Sequence, residues 1–114
     1  PDRMTVAANR LALAAIGSLT FAAPDLVRFP ALGLARAALT AGEGAPTVLN
    51  AANEVAVRAF LDRKLGFLTI ADVVEQVLDE LAGAAEPTDL AAAAALDAEA
   101  RAAAATACRR RAPC

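Results

Sequence analysis

Between Pro46 and Phe67, in PTVLNAANEVAVRAFLDRKLGF, apolar residues recur at Val48, Leu49, Ala52, Val55, Ala56, Ala59 and Phe60. That spacing is one helical stripe, and it commits the segment to a helix with a single buried face. Pro46 suits the first turn, where its missing N–H would have no partner anyway. Gly66 suits a left-handed stop, with Phe67 packing back on the last turn. Three residues do not follow from the pattern. Asn50, Asn53 and Glu54 lie in the first half of the helix, and asparagine is a poor interior helix former because its amide competes for backbone groups.

The remaining punctuation predicts a small all-α bundle of about four antiparallel helices behind an irregular or extended linker. Pro30 opens a first helix carrying Leu32, Ala35, Ala38 and Leu39, and Gly42 stops it. Thr69 is the expected N-cap of a third helix, with Asp72 three residues on as in a capping box. Ile70, Val73, Val74, Val77, Leu78 and Leu81 form its stripe, and Gly83 ends it. Thr88 is the expected cap of a fourth stretch rich in alanine, and Asp97 could split that stretch in two. Ahead of the bundle, Leu19, Thr20 and Phe21 suggest a short strand and Ala23-Pro24-Asp25 a turn. These readings divide the chain into a linker at 1–28, a bundle at 29–107 and a tail at 108–114.

Apolar residues make up 58% of the chain, but alanine supplies much of that, so the core is expected to rest on scattered Leu, Val, Ile and Phe. The net charge of −2 and the confinement of the one basic cluster to Arg109, Arg110 and Arg111 argue against a nucleic-acid reader. That cluster reads as a solvated tail. No apolar run is long enough to span a bilayer. Arg10 and the following LALAAIGSLTFAA have some marks of a signal peptide, but Gly17, Ser18 and Thr20 interrupt the run. Cys108 and Cys114 are read as free thiols in a reducing cytosol, which places the protein in the cytoplasm.

With no histidine, neither a Ser-His-Asp triad nor a histidine metal ligand can be built, and the dispersed glycines form no phosphate loop. Carboxylates fall at caps and on polar faces. No catalytic, cofactor-binding or metal-binding residue is identified. Asn50, Asn53 and Glu54 are the one exception to a bland surface. They could contact a ligand or a partner domain, but the reading favoured by their chemistry is structural, with the two amides bonded to neighbouring backbone.

Several blocks together resemble the C-terminal part of the 1-deoxy-D-xylulose 5-phosphate reductoisomerase family. They are Gly17-Ser18-Leu19-Thr20-Phe21, Ala23-Pro24-Asp25, Arg28-Phe29-Pro30-Ala31-Leu32, and Val48-Leu49-Asn50-Ala51-Ala52-Asn53-Glu54-Val55-Ala56-Val57. Ala59-Phe60-Leu61, Gly66-Phe67-Leu68 and Asp97-Ala98-Glu99-Ala100-Arg101 continue the match in order. Pro1-Asp2-Arg3-Met4 is better aligned with a segment leading directly into Arg10-Leu11 than with the family's nicotinamide region. Ala12, Ala22, the alanine-rich fourth helix and the ending RRRAPC depart from the family pattern.

The resemblance implies an NADPH-dependent oxidoreductase of non-mevalonate isoprenoid biosynthesis, using a divalent metal (Mg or Mn) to make 2-C-methyl-D-erythritol 4-phosphate. It also implies a homodimer whose subunits have an NADPH-binding domain, a catalytic domain and a C-terminal helical bundle. This chain looks like the bundle, a fragment whose partners are the other two domains and which is inactive alone. Asn50, Asn53 and Glu54 then belong to a bundle motif, not to the catalytic machinery. A free-standing helical interaction or dimerisation module derived from the family is the alternative.

Overall fold

The structure, a computed structural model, describes residues 11–111. Pro1–Met4, Arg10 and Cys114 lie outside those residues. Five helices follow one another: α1 (Leu13–Ile16), α2 (Ala31–Ala41), α3 (Ala45–Leu61), α4 (Thr69–Glu80) and α5 (Leu90–Arg111). No strand occurs among the described residues, so the all-α class holds and the strand expected at Leu19–Phe21 does not form. Its backbone has no partner strand to pair with, and a lone strand is not stable in water.

The bundle is built around α3, which packs against α2, α4 and α5. Val48, Ala51, Ala52 and Ala56 of α3 meet Val73, Val74 and Val77 of α4 and Ala100, Ala104, Ala107 and Cys108 of α5. Leu65, in the α3–α4 connection, closes one end. Of the expected core of Leu, Val, Ile and Phe, Val is borne out, while Ile and Phe are replaced by alanine and Leu contributes Leu65 alone. The fully buried side chains are Val and Ala, with Val48, Val73 and Val77 the largest. Alanines facing each other let α3 and α5 approach closely, and the larger Leu49, Ile70, Leu78 and Leu96 only flank the core.

Several boundaries differ from the sequence reading. α3 stops at Leu61, five residues before Gly66, through a Schellman motif. Lys64 N–H donates to the Ala59 carbonyl at 2.8 Å and Arg63 N–H to the Phe60 carbonyl at 2.9 Å. Arg63 takes the left-handed position at φ 61° that Gly66 was expected to hold. Phe67 does pack back, edge-on to Phe60 with ring centroids 5.6 Å apart.

Thr69 does not cap α4. Leu68 precedes the helix, and the entry is closed by backbone bonds from Thr69 N–H to the Gly66 carbonyl and from Ile70 N–H to the Phe67 carbonyl. Asp89, not Thr88, caps α5: its Oδ1 accepts from Ala92 N–H at 2.7 Å. α5 runs unbroken through Asp97, because that carboxylate is held by Arg101 one turn on and is not free to cap a new helix.

Among the described residues before α2 the chain is mostly irregular, as expected, with one helical turn at Leu13–Ile16 that the irregular or extended reading did not include. The turn expected at Ala23-Pro24-Asp25 begins instead at Asp25, whose Oδ1 accepts from Val27 N–H and Arg28 N–H, both at 3.0 Å. Gly42 (φ 67°) and Gly83 (φ 80°) end α2 and the α4 region as predicted. Between them, Gly44 N–H donates to the Ala84 carbonyl at 3.0 Å and ties the α2–α3 turn to the α4–α5 connection.

Candidate functional site

The helix positions that stood out in the sequence do come together with others. Asn50 and Glu54 are one turn apart on the outer side of α3, and Asn50 Nδ2 donates to Glu54 Oε1 at 3.1 Å. From α5, Arg101 Nη2 donates to Glu54 Oε2 at 2.7 Å. The same guanidinium grips Asp97 with two bonds, from Nε at 2.6 Å and from Nη2 at 3.1 Å. Arg101 thus stands between two carboxylates on two helices, in the fork geometry suited to it.

This cluster differs from the expected one. Asn50 bonds to a side chain and not to neighbouring backbone. Asn53 is exposed, and its side chain makes no hydrogen bond among the described residues. Asp97 and Arg101 were not read as members. Arg101 lies 47 residues beyond Glu54, a pairing that no local pattern signals.

The electrostatics are those of a clamp. The bond from Arg101, then the bond from Asn50, hold the Glu54 carboxyl below the usual carboxylate range. Arg101 is held more firmly protonated, first by Asp97 and then by Glu54. Glu54 and Arg101 are thus both held in their charged forms, which suits an ion pair and not a proton exchange near neutral pH.

A groove of about 270 Å³ lies between α2, α3 and α4, floored by Leu34, Ala38, Val48 and Leu78. Of its acidic groups, Glu75 and Asp79 sit on the exposed face of α4 and Glu43 in the exposed α2–α3 turn. Among the described residues no group of three His, Cys, Asp or Glu side chains is placed to hold a metal ion. No helix among them is long and apolar enough to cross a membrane. Cys108 is buried against the core, and burial pushes its thiol up against the opposing pull of Arg111 and Arg109. It serves as apolar wall rather than nucleophile. Arg111, expected to be solvated, donates to Gln76 of α4 and fastens the end of α5.

Comparison with known proteins settles what this arrangement belongs to. A model of the DXP reductoisomerase C-terminal domain matches residues 1–103. The chain belongs to the DXP reductoisomerase C-terminal domain family. The 1-deoxy-D-xylulose 5-phosphate reductoisomerase of Caulobacter vibrioides is 59% identical over 81 residues, 71% of this chain and 20% of that protein. The enzyme of Rhodopseudomonas palustris is 52% identical over 109 residues, 93% of this chain and 27% of that protein. A solved structure of the Zymomonas mobilis reductoisomerase in complex with NADPH superposes with a TM-score of 0.82 at 46% identity, over 93% of this chain and 28% of that one. The reductoisomerase relatives are therefore several times longer than the region they share with this chain. The DXP reductoisomerase C-terminal domain match contains all four members of the Arg101 clamp and ends within α5.

Proposed function

We propose that this chain is the C-terminal helical domain of a 1-deoxy-D-xylulose 5-phosphate reductoisomerase. The whole enzyme would rearrange and reduce its sugar phosphate to 2-C-methyl-D-erythritol 4-phosphate for isoprenoid synthesis. The observation that carries this reading is the joint agreement of sequence and fold over nearly the whole chain with the NADPH-bound Zymomonas mobilis enzyme.

The residues described here do not fit the enzyme's NADPH or its divalent metal. Glu54 and Asp97 are engaged by Arg101, and the other carboxylates among the described residues are spread over exposed helix faces, turns and connections. No chemical step is assigned to them. Both groups belong to the upstream domains of the enzyme, which works as a cytoplasmic homodimer that binds neither nucleic acid nor membrane. Within it, residues 1–28 act as linker and the bundle begins at 29; the boundary expected at 107, with 108–114 as a tail, is moved outward, because α5 continues to Arg111 with Cys108 in the core. Of the motif Asn50, Asn53 and Glu54, Glu54 holds bundle architecture through Arg101 of α5 and Asn50 braces Glu54, while Asn53 is exposed and stands outside the clamp.

The test is a chimera in which this chain replaces the matching region of the Zymomonas mobilis enzyme. We expect the chimera to oxidise NADPH in the presence of substrate and metal, and the isolated chain to show no turnover. Turnover by the isolated chain, or a chimera that folds and binds NADPH without turning over, would overturn the proposal.

A further inference from the structure

α3 and α5 run in the same direction. Glu54 meets Arg101, and one turn on Arg58 and Asp62 line one cleft with Ala105 and Arg109. Beyond the Arg101 clamp, the seam between the two helices opens into this cleft, of about 340 Å³. Val55 and Ala59 of α3 and Ala105 and Cys108 of α5 form its apolar walls. Cys108 is buried, and the other three are half-buried. Arg58, Lys64 and Arg109 stand at its mouth with one carboxylate, Asp62. In the sequence Arg109 is remote from Arg58 and Lys64, and only the packing of α5 beside α3 gathers the three cations.

The charges there do not cancel. Arg58 Nε and Lys64 Nζ lie 3.3 and 3.9 Å from the carboxylate oxygens of the same residue, Asp62. Those two basic side chains are 77% and 74% exposed, so the pairing is weak and both heads are free to turn to another anion. Arg109 donates to the neutral Thr106 hydroxyl at 2.9 Å, and no carboxylate among the described residues pairs with it. Burial raises the Cys108 thiol, and the opposing pull of Arg111 and Arg109 shows a positive field reaching the cleft wall. Cations at the ends of α3 and α5 also complement the helix dipoles, but that role calls for no apolar hollow between them.

An apolar slot of this size with a few charged groups at its edge has the anatomy of a small-molecule site. Three cations against one carboxylate leave two positive charges, which match the near-dianionic head of a phosphate monoester at neutral pH. We infer that the cleft between α3 and α5 binds a small aliphatic phosphate, its short hydrocarbon body on Val55, Ala59, Ala105 and Cys108 and its head on Lys64 and Arg109. Arg109 presents a planar fork to such a head, and Lys64 a mobile point charge. The sugar phosphate of the reductoisomerase is polar along its whole body and gains nothing from these walls, so the ligand differs from that substrate in kind. The site stands on this chain's own residues, whatever enzyme carries it.

Calorimetric titration of the full 114-residue chain with n-hexyl phosphate tests this, with inorganic phosphate and n-hexanol as ligands that lack the body or the head. Three variants accompany it, each checked by circular dichroism for an intact bundle. Lys64→Gln with Arg109→Gln removes two cations from the mouth, and Ala105→Leu fills the slot. Arg63→Gln with Arg110→Gln removes two charges that do not line it. We expect saturable one-to-one binding of hexyl phosphate, and at least about tenfold weaker binding of either partial ligand. The Lys64/Arg109 pair and Ala105→Leu should each weaken hexyl phosphate at least about tenfold, and the Arg63/Arg110 pair less than about threefold. Should Ala105→Leu unfold the bundle, the two charge pairs decide the matter, since all four of those residues are exposed. Absence of saturable binding, undiminished binding by the Lys64/Arg109 variant, equal loss in both charge variants, or inorganic phosphate binding as tightly as hexyl phosphate would each overturn the site.

Discussion

Glu54 and Arg101 meet at 2.7 Å although 47 residues separate them, and their bond joins the middle of α3 to the middle of α5. The pair is partly exposed, so its strength is screened by water. Its direction with pH is nonetheless definite. The folded-state pKa of Glu54 lies below its unfolded value. The contribution is therefore complete at neutral pH and is lost as pH falls through the folded-state pKa. Glu54→Gln should leave a protein whose stability declines less in acid, and Arg101→Met should lose the clamp at every pH. Urea melts at neutral and acidic pH would show it. Parallel acid dependence in the unaltered chain and in Glu54→Gln would be the contrary result.

Gly44 is required by space rather than by backbone conformation. A Cβ there would lie 2.7 Å from Leu96 Cδ2, 2.9 Å from the Ala84 carbonyl oxygen and 3.0 Å from Ala84 Cβ. Leu96 could rotate away, but Ala84 is backbone on a connection already bonded to Gly44. Gly44→Ala should destabilise by about 1–3 kcal/mol, the usual cost of overpacking. Chemical denaturation measures this directly, and an unchanged or raised midpoint would contradict it.

Arg63 presents the opposite case. Its left-handed φ of 61° is forced by the Schellman bonds that end α3. A side chain in that conformation costs about 1–2 kcal/mol that glycine does not incur. Arg63→Gly should raise stability by about 1 kcal/mol, less what glycine adds to the entropy of the unfolded chain. Thermal melts of the two forms would detect the gain, and a lower melting temperature would count against it.

Burial governs the chemistry of Cys108. With Cys114 changed to Ser, the remaining thiol should react with a thiol reagent at neutral pH at least about tenfold more slowly in the folded chain than in denaturant. Rates measured with and without urea decide the matter. A fast reaction in the folded state would mean that α5 is not seated against the core at Cys108.

These cases also show how far the sequence carries. The α4 stripe was legible because Ile70, Val73, Val74 and Val77 are bulky and regularly spaced, and three of them are buried as read. The end of α3 was not, because glycine is the expected left-handed residue and Gly66 lay close by, while hydrogen bonding placed Arg63 there. Asp89 and Thr88 are neighbours with similar capping chemistry, and only the bond to Ala92 separates them. Asn50 and Glu54 were visible as oddities on a helix. Their connection to Arg101 was not, since it depends on how α3 and α5 pack.

The facing alanines of α3 and α5 have a thermodynamic consequence. Ala51, Ala52 and Ala56 against Ala100, Ala104 and Ala107 exclude water with little hydrocarbon per residue and almost no rotamer freedom to lose. The heat-capacity change of unfolding scales with apolar area newly hydrated. This bundle should therefore have a heat-capacity increment at the low end for its length, and a stability curve that is shallow and broad. Its resistance to warming would come from that flatness more than from height.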